Sequence, residues 1–331
     1  MIHHLVFDGV ADGPLGVALD VVGTGARLVA GGRVAVPARE RLLRQRVVSV
    51  DGKPVRTGAG RKLEVDGALS LRSLARRDIL ALPGLGAATE PQVTALLARS
   101  DIVRGAAILS RAAAKGVIVA ASCSSTFVLG ASGALDGQEA TTTWWLRESF
   151  AKRFPRVNLC ADRMVVESGG VFTAGAALAH ADLMLSIVAR KISPSLAHMV
   201  ARYLLIDERV SQARYMVLEH IRSSDPVIRR LERFITANLE RQLSLEEMAT
   251  ATATSPRTLA RKLHGALRTT PQRFAQRLRA SRAVHLLETT TESVDRIAER
   301  VGYADAAAFR RVFRRETGGT PRSFLNGATM P

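Results

Sequence analysis

The spacing of apolar positions changes part way along the chain. Through roughly the first two hundred residues, short apolar runs alternate with stretches of helical period. "HHLVF" (3–7), "RVVSVDG" (46–52), "DILALPGLG" (78–86) and "VIVAASCSS" (117–125) read as buried strands. "GPLGVALDVV" (13–22) and "PQVTALLARSDIVRGAAILSRAAAKG" (91–116) read as helices, the second stopped by a glycine. Near-continuous apolar strands separated by helices predict a mostly parallel sheet covered on both faces, an α/β three-layer sandwich. Beyond about residue 225 the strands disappear. Helices are expected over 227–238, 244–251, 256–267, 271–287, 294–301 and 306–317, with a short turn at 321–326. The polar segment 206–225 reads as a linker between a first domain, 1–205, and an all-α second domain, 226–331, capped at Asp225 before Pro226.

The helical part contains a repeat. "SLEEMATATATSPRTLARKLHGALRTTPQRF" (244–274) aligns with the stretch that ends in "DRIAERVGYADAAAFRRVFRRETGGTPRSF" (295–324). Ser244 and Ala249 match Ser293 and Ala298 at a spacing of 49. Leu259, Leu263, Thr270-Pro271 and Phe274 match Phe309, Phe313, Thr320-Pro321 and Phe324 at a spacing of 50. The extra residue falls between the two helices of the unit, where a turn absorbs it. Each copy is a short helix, a tight turn and a second helix, with a small residue where the helices cross. That is a helix-turn-helix, expected at 244–267 and again at 293–317.

Laid out at 100° per residue, the second helix of each copy has an apolar side and a cationic side. In the first copy Leu259 and Leu263 point inward, while Arg257, Ala260, Arg261 and His264 form the outward face. In the second, Phe309, Val312 and Phe313 point inward with Glu316, and Ala307, Arg311 and Arg314 point out. Those outward residues are the expected readers of base edges. Arg261 and Arg311, at equivalent positions, suit the paired acceptors of guanine. Thr258, Lys262, Arg310 and Arg315 flank the outward faces and are the expected phosphate contacts.

Charge sharpens this picture. The chain has 331 residues and a net charge of +17, which favours a polyanionic partner. Residues 226–331 hold 19 Arg plus Lys against 10 Asp plus Glu, about half of that excess in a third of the length. Of those 19, only Lys262 is lysine; arginine's planar fork fits phosphates and guanine edges. Two cysteines, Cys123 and Cys160, give no disulfide framework and no metal-ligand spacing, so no cofactor or metal is expected. The N-terminus lacks a basic segment before an apolar run, and the runs near 117–121 and 183–189 are too short to span a bilayer. The expected location is the cytoplasm, on the nucleoid, with no membrane partner.

The last hundred residues resemble the DNA-binding domain of AraC/XylS-family transcription regulators, through "IAERVGYADAAAFRRVFRRETGGTPRSF" above all. The resemblance implies two helix-turn-helix units, joined by a rigid helix, on successive major-groove segments of double-stranded DNA. It also implies a homodimer formed through the N-terminal domain, contact with RNA polymerase and activation as the expected mode, with a small-molecule effector compatible.

The first domain resembles the PfpI-type branch of the class I glutamine amidotransferase-like superfamily. The carrying residues are the strand and turn around Cys123, then "SGALDGQEATTTWW" (132–145) and "VFTAGAALAHADLMLSIVA" (171–189). A cysteine at a strand-to-helix turn is placed as a nucleophile. Active relatives carry a His about twenty residues later, in a Thr-Thr-His-Trp type sequence, where this chain has Thr143. Threonine is no general base at neutral pH. Only Asp12 or Asp20 matches the relatives' acidic residue, imperfectly, and His180 and His198 are the remaining imidazoles considered as substitutes. The domain therefore reads as an enzyme fold without catalytic residues, kept for sensing or dimerisation, with Cys123 lining a pocket or acting as a redox-responsive thiol. The alternative is a Cys123-dependent amidase or hydrolase.

Overall fold

The computed structural model describes residues 1–36, 40–207, 209, 212, 225–267 and 269–325. The chain divides into two compact units, Met1–Gln212 and Ala213–Pro331. Most of the polar segment read as a linker lies outside the described residues.

In chain order the first unit contains β1 (Ile2–Leu5), α1 (Asp12–Ala30), β2 (Gln45–Val48), β3 (Val55–Arg56), β4 (Lys62–Leu63), β5 (Ile79–Leu82), α2 (Glu90–Ala98), α3 (Ser100–Ala114), β6 (Ile118–Ser122), α4 (Ser125–Ala131), β7 (Glu139–Ala140), α5 (Arg147–Arg153), β8 (Asn158–Leu159), β9 (Val165–Ser168), β10 (Val171–Ala174), α6 (Ala179–Ile187) and α7 (Pro194–Tyr203). The main sheet runs β2-β1-β5-β6-β10-β9. Its pairs are parallel except for β9, which lies antiparallel on β10. β1, β5 and β10 are buried along their whole length, as a sheet covered on both faces requires.

Strand alternation sorts side chains into two cores. Leu5, Leu80, Leu82, Val119 and Ala121 pack with Ile102, Leu109 and Phe127 on one face. Ile79, Ala81, Ala120 and Phe172 pack with Val21, Leu183 and Leu196 on the other. The result is the expected three-layer α/β sandwich. α1 is longer than the sequence pattern predicts. By length and composition it could cross a membrane. In the fold it is a core helix, burying Leu15, Ala18, Val21, Val22 and Leu28.

The single helix predicted over 91–116 is two. Arg99 breaks it with an extended backbone at φ −67° and ψ 138°. The Arg99 guanidinium donates to Asp101 and, at 2.8 Å, to the carbonyl of Asp8. α2 buries Val93 and Leu96, and α3 buries Ile102, Ala106, Leu109 and Ala112.

The second unit contains α8 (Pro226–Thr236), α9 (Leu245–Ala251), α10 (Pro256–Leu267), α11 (Pro271–Thr289), α12 (Val294–Arg300) and α13 (Ala306–Thr317), then one 3-10 turn, Pro321–Phe324. Nearly every start carries a side-chain cap. Asp225 accepts from the Val227 N–H at 2.8 Å, and Thr270 from the Arg273 N–H. Ser244 and Glu247 form a reciprocal capping box. The Glu247 carboxyl is lowered to about 2, first by the Ser244 N–H and then by Arg241. Asp305 accepts from the N–H groups of Ala307 and Ala308, and α13 ends at the left-handed Gly318.

α11 serves two cores. Its first half, with Phe274 and Leu278, packs on Leu231, Met248, Leu259 and Leu263. Its second half, with Ala283 and Leu287, packs on Ile297, Phe309 and Phe313. Phe324 meets Phe313 edge-on at 5.3 Å, closing the second core as the repeat predicts.

The turns of the two copies match atom for atom in their bonding. Ala253 N–H donates to Thr250 and Thr254 N–H to Ala249; Gly302 N–H donates to Glu299 and Tyr303 N–H to Ala298. The left-handed residue is Ala253 in one copy (φ 53°) and Gly302 in the other (φ 81°). A Cβ at Gly302 would stand 2.4 Å from the carbonyl oxygen of Leu239, a backbone atom. Gly302→Ala is therefore expected to destabilise the second unit by about 2 kcal/mol or more, combining strain with the clash. Ala253→Gly, where φ is equally positive, should be neutral or mildly stabilising. Paired urea titrations check both; equal effects would contradict the close approach.

Candidate nucleic-acid interface and the Cys123 elbow

Each recognition helix is held by its inward side. Leu259 and Leu263 of α10 are fully buried, as are Phe309 and Phe313 of α13. Each buried phenylalanine contributes roughly 1.5–3 kcal/mol. The opposite face is clear. Arg257, Arg261 and His264 are exposed on α10, with Ala260 half-buried between them; Ala307, Arg311 and Arg314 are exposed on α13. The structure thus brings the sequence-predicted base readers together on one face of each helix. None of Arg257, Arg261, Arg311 and Arg314 has an ion pair among the described residues.

The four flanking residues are differently placed. Lys262 Nζ lies 2.6 Å from Asp225, tying α10 to the cap of α8. The Thr258 hydroxyl accepts from Ser255 at 3.0 Å. Arg310 pairs with Asp295 at 2.8 Å, both well exposed. Arg315 donates to Glu316 at 2.7 Å and to Gln276 at 2.6 Å. Glu316 is buried and also meets Arg273 and Arg277 of α11, so one carboxylate gathers three arginines. Helix periodicity alone does not reveal Asp225, Asp295 and Gln276 as partners, which come from outside the two recognition helices.

In the first unit, Cys123 sits where β6 turns into α4, with φ at 53°. Its N–H donates to the carbonyls of Ala174 and Gly175, at 3.1 and 2.7 Å. The three residues that follow anchor the elbow. Ser124 Oγ both accepts from the Leu85 N–H and donates to the Leu85 carbonyl. Ser125 Oγ donates to Pro83 at 2.5 Å, and Thr126 bonds Thr142 at 2.6 Å. A Cβ on Gly84 would touch Cys123 Cβ at 3.2 Å, so the loop after β5 packs directly on the thiol.

The thiol is 6% exposed. Burial pushes its pKa up, against weaker opposing contacts from the Ser124 N–H and the Ser124 and Thr143 hydroxyls. Thr143 Oγ1 is itself buried and has no oxygen or nitrogen partner among the described residues. The structure thus places Thr143 beside the sulfur, where the active relatives' histidine is expected, and gives it nothing to accept a proton. Asp12 instead accepts from the Ala59 N–H at 3.2 Å, and Asp20 and His198 are exposed.

His180 is fully buried, and neither ring nitrogen has a partner among the described residues. Desolvation lowers its pKa to about 3, helped by the nearby His4. His4 is lowered to about 4 by burial, against a 3.0 Å bond to Gln45.

One residue at the elbow has no signal in the sequence. Gln212 falls in the polar segment yet is 1% exposed. Its amide donates to Thr141 Oγ1, Thr142 O and Ala161 O, at 3.2, 3.0 and 2.7 Å. Its side-chain oxygen fills the space in front of Gly175, 2.1 Å from where a Cβ there would stand.

Comparison with known proteins agrees with this division. A helix-turn-helix domain model matches residues 248–327, and the DJ-1/PfpI family model matches residues 30–190. The HTH-type transcriptional regulator GbdR of Pseudomonas aeruginosa is 25% identical over 87% of this chain and 76% of its own length. The HTH-type transcriptional regulator GlxA of Rhizobium meliloti is 29% identical over 65% of this chain and 67% of its own. Among solved structures, an AraC family transcriptional regulator from Pseudomonas putida is 22% identical, covering 61% of this chain and 98% of that one, with a TM-score of 0.47. A duplicated helix-turn-helix behind an α/β sandwich defines a DNA-binding transcription regulator. More particularly, the helix-turn-helix domain is of the AraC type and the N-terminal domain is DJ-1/PfpI-like.

Two outcomes follow from the first unit. Cys123 should react with iodoacetamide at pH 8 far more slowly than the half-exposed Cys160, by about tenfold or more, because its thiolate is disfavoured and shielded. Peptide mapping of alkylated native protein checks this, and faster labelling of Cys123 would contradict it. His4 and His180 stay neutral in the folded chain, whereas unfolding returns each to a pKa near 6.5. Below pH 6.5 the unfolded chain therefore binds the extra protons. Stability should fall as pH drops from about 6.5 toward 4, by roughly 1 kcal/mol per pH unit per histidine. Fluorescence of Trp144 and Trp145, both in the first unit, follows the unfolding. His180→Leu should flatten the profile; an unchanged slope would exclude His180 as a source.

Proposed function

We propose that the protein reads two successive major-groove segments of double-stranded DNA, one with α10 and one with α13. Arg257, Ala260, Arg261 and His264 face base edges in the first segment, and Ala307, Arg311 and Arg314 in the second. The carrying observation is that Arg261 and Arg311 occupy equivalent outward positions, exposed and without an ion pair among the described residues. Arginine left free in that way is available for the paired acceptors of guanine. Thr258, Lys262, Arg310 and Arg315 contact phosphates. Arg310 would exchange the exposed Asp295 carboxylate for a phosphate oxygen, and Arg315 its half-buried Gln276 amide partner.

The first unit, 1–205 in the sequence reading, serves as a homodimerisation and effector-sensing domain without catalysis. The high thiol pKa and the threonine beside it support that reading. The linker is 206–225 and the DNA-binding domain 226–331. The protein acts in the cytoplasm on the nucleoid, as an activator that contacts RNA polymerase.

Selection of bound duplexes from a random pool, followed by titration of the recovered site, tests the proposal. Arg261→Ala and Arg311→Ala should each weaken the selected site by about 5- to 150-fold while leaving random duplex nearly unchanged. Arg310→Ala and Arg315→Ala should weaken both alike and make the salt dependence shallower by about one unit. Equal loss on both duplexes for Arg261→Ala would remove the base-reading role.

A further inference from the structure

The two helix-turn-helix units share more than α11. The loop between α8 and α9 belongs to the bundle of the first helix-turn-helix, yet it packs against the turn of the second helix-turn-helix. Gln242 Nε2 donates to the Gly302 carbonyl at 2.7 Å. Leu239 presses its carbonyl against the Gly302 Cα, leaving no room for a side chain. From the middle of α11, Arg279 reaches the same loop. It donates to the Arg241 carbonyl at 2.5 Å and to Gln242 Oε1 at 3.3 Å. Its guanidinium also stands 5.9 Å from the ring centroid of Tyr303, the residue after Gly302. Arg279 is 3% exposed.

A helix alone holds two bundles at a fixed distance but leaves them free to bend and twist about it. A second contact off the helix axis removes that freedom. Loop, turn and α11 here form a closed triangle, with Gln242 bonded to both of the other corners. A buried arginine bonded to main-chain oxygen is costly to break, since separation would strand its charge.

We propose that Gln242 and Arg279, gripping the Gly302 turn, set the distance and phase between the two recognition helices, and so determine which separation of base contacts the protein accepts. These are positioning residues: neither lies on the reading faces. The inference rests on the DNA-reading function proposed above.

The consequence is read in DNA geometry. One base pair inserted between the two recognised segments moves the second by about 3.4 Å along the axis and turns it by about 35°. A rigid pair of helices cannot follow both changes; a loosened pair can.

The test uses the full-length protein on its selected site and on versions with one base pair inserted or deleted between the segments. Wild type should lose about tenfold or more on either altered site, the scale of a lost base contact. Gln242→Ala removes the strut without stranding a charge. It should lose about threefold or less on the altered sites, with some loss on the original site. Arg279→Met should behave alike, and Glu240→Ala, an exposed residue of the same loop, should keep the wild-type ratio. Melting curves establish that each variant is folded. If folded Gln242→Ala retains the wild-type spacing ratio, the proposal is overturned. If wild type itself prefers no sequence, it is the DNA-reading function that fails.

Discussion

Both recognition helices depend on one backbone reversal. After the first helix of each helix-turn-helix the chain must turn within four residues in one copy, 252–255, and five in the other, 301–305. It does so through a single left-handed residue flanked by two bonds to the preceding turn of helix. That reversal lets Ala249 and Ala298 take the crossing point, and it lets the second helix bury one stripe while its other side stays in solvent. Glycine takes this conformation at no steric cost, whereas Ala253 bears it under strain. The difference is explained by what surrounds each turn. Gly302 has the α8–α9 loop against it, so a side chain is excluded; Ala253 is exposed and needs only the conformation.

The first unit keeps a different local strain. Cys123 retains the left-handed backbone of a nucleophile elbow, and three hydroxyls hold the start of α4 in place. The geometry that presents a thiol is in place, while burial disfavours its ionisation. Main-chain bonds fix the elbow, while its chemistry hangs on single side chains such as the one at position 143. The two can therefore be lost independently.

Much of this was legible in the chain. The repeat shows because Ser244, Ala249, Leu263 and Phe274 recur with one residue added at a turn, and structural duties recur with them. The buried strands show because residues such as Ile79–Leu82 are apolar on both faces. What stayed hidden involves contacts between distant segments. The break at Arg99 is fixed by the carbonyl of Asp8. Arg279 reads as one more cation on a basic helix, because its partners are main-chain oxygens in a loop far away in sequence. Lys262 and Arg310 are likewise paired with carboxylates from other segments, Asp225 and Asp295, that no helical wheel displays. Gln212 lies in a polar segment and looks like any surface residue until the space before Gly175 is seen.

Asp225 has two tasks at one address. It caps α8, and with its other oxygen it holds Lys262 on α10. Lys262 on α10 is thereby joined to the start of α8, while α13 is joined to α11 by the carboxylate of Glu316. A substitution at Asp225 would therefore remove a helix cap and an ion pair at once, and bear on α8 and α10 together.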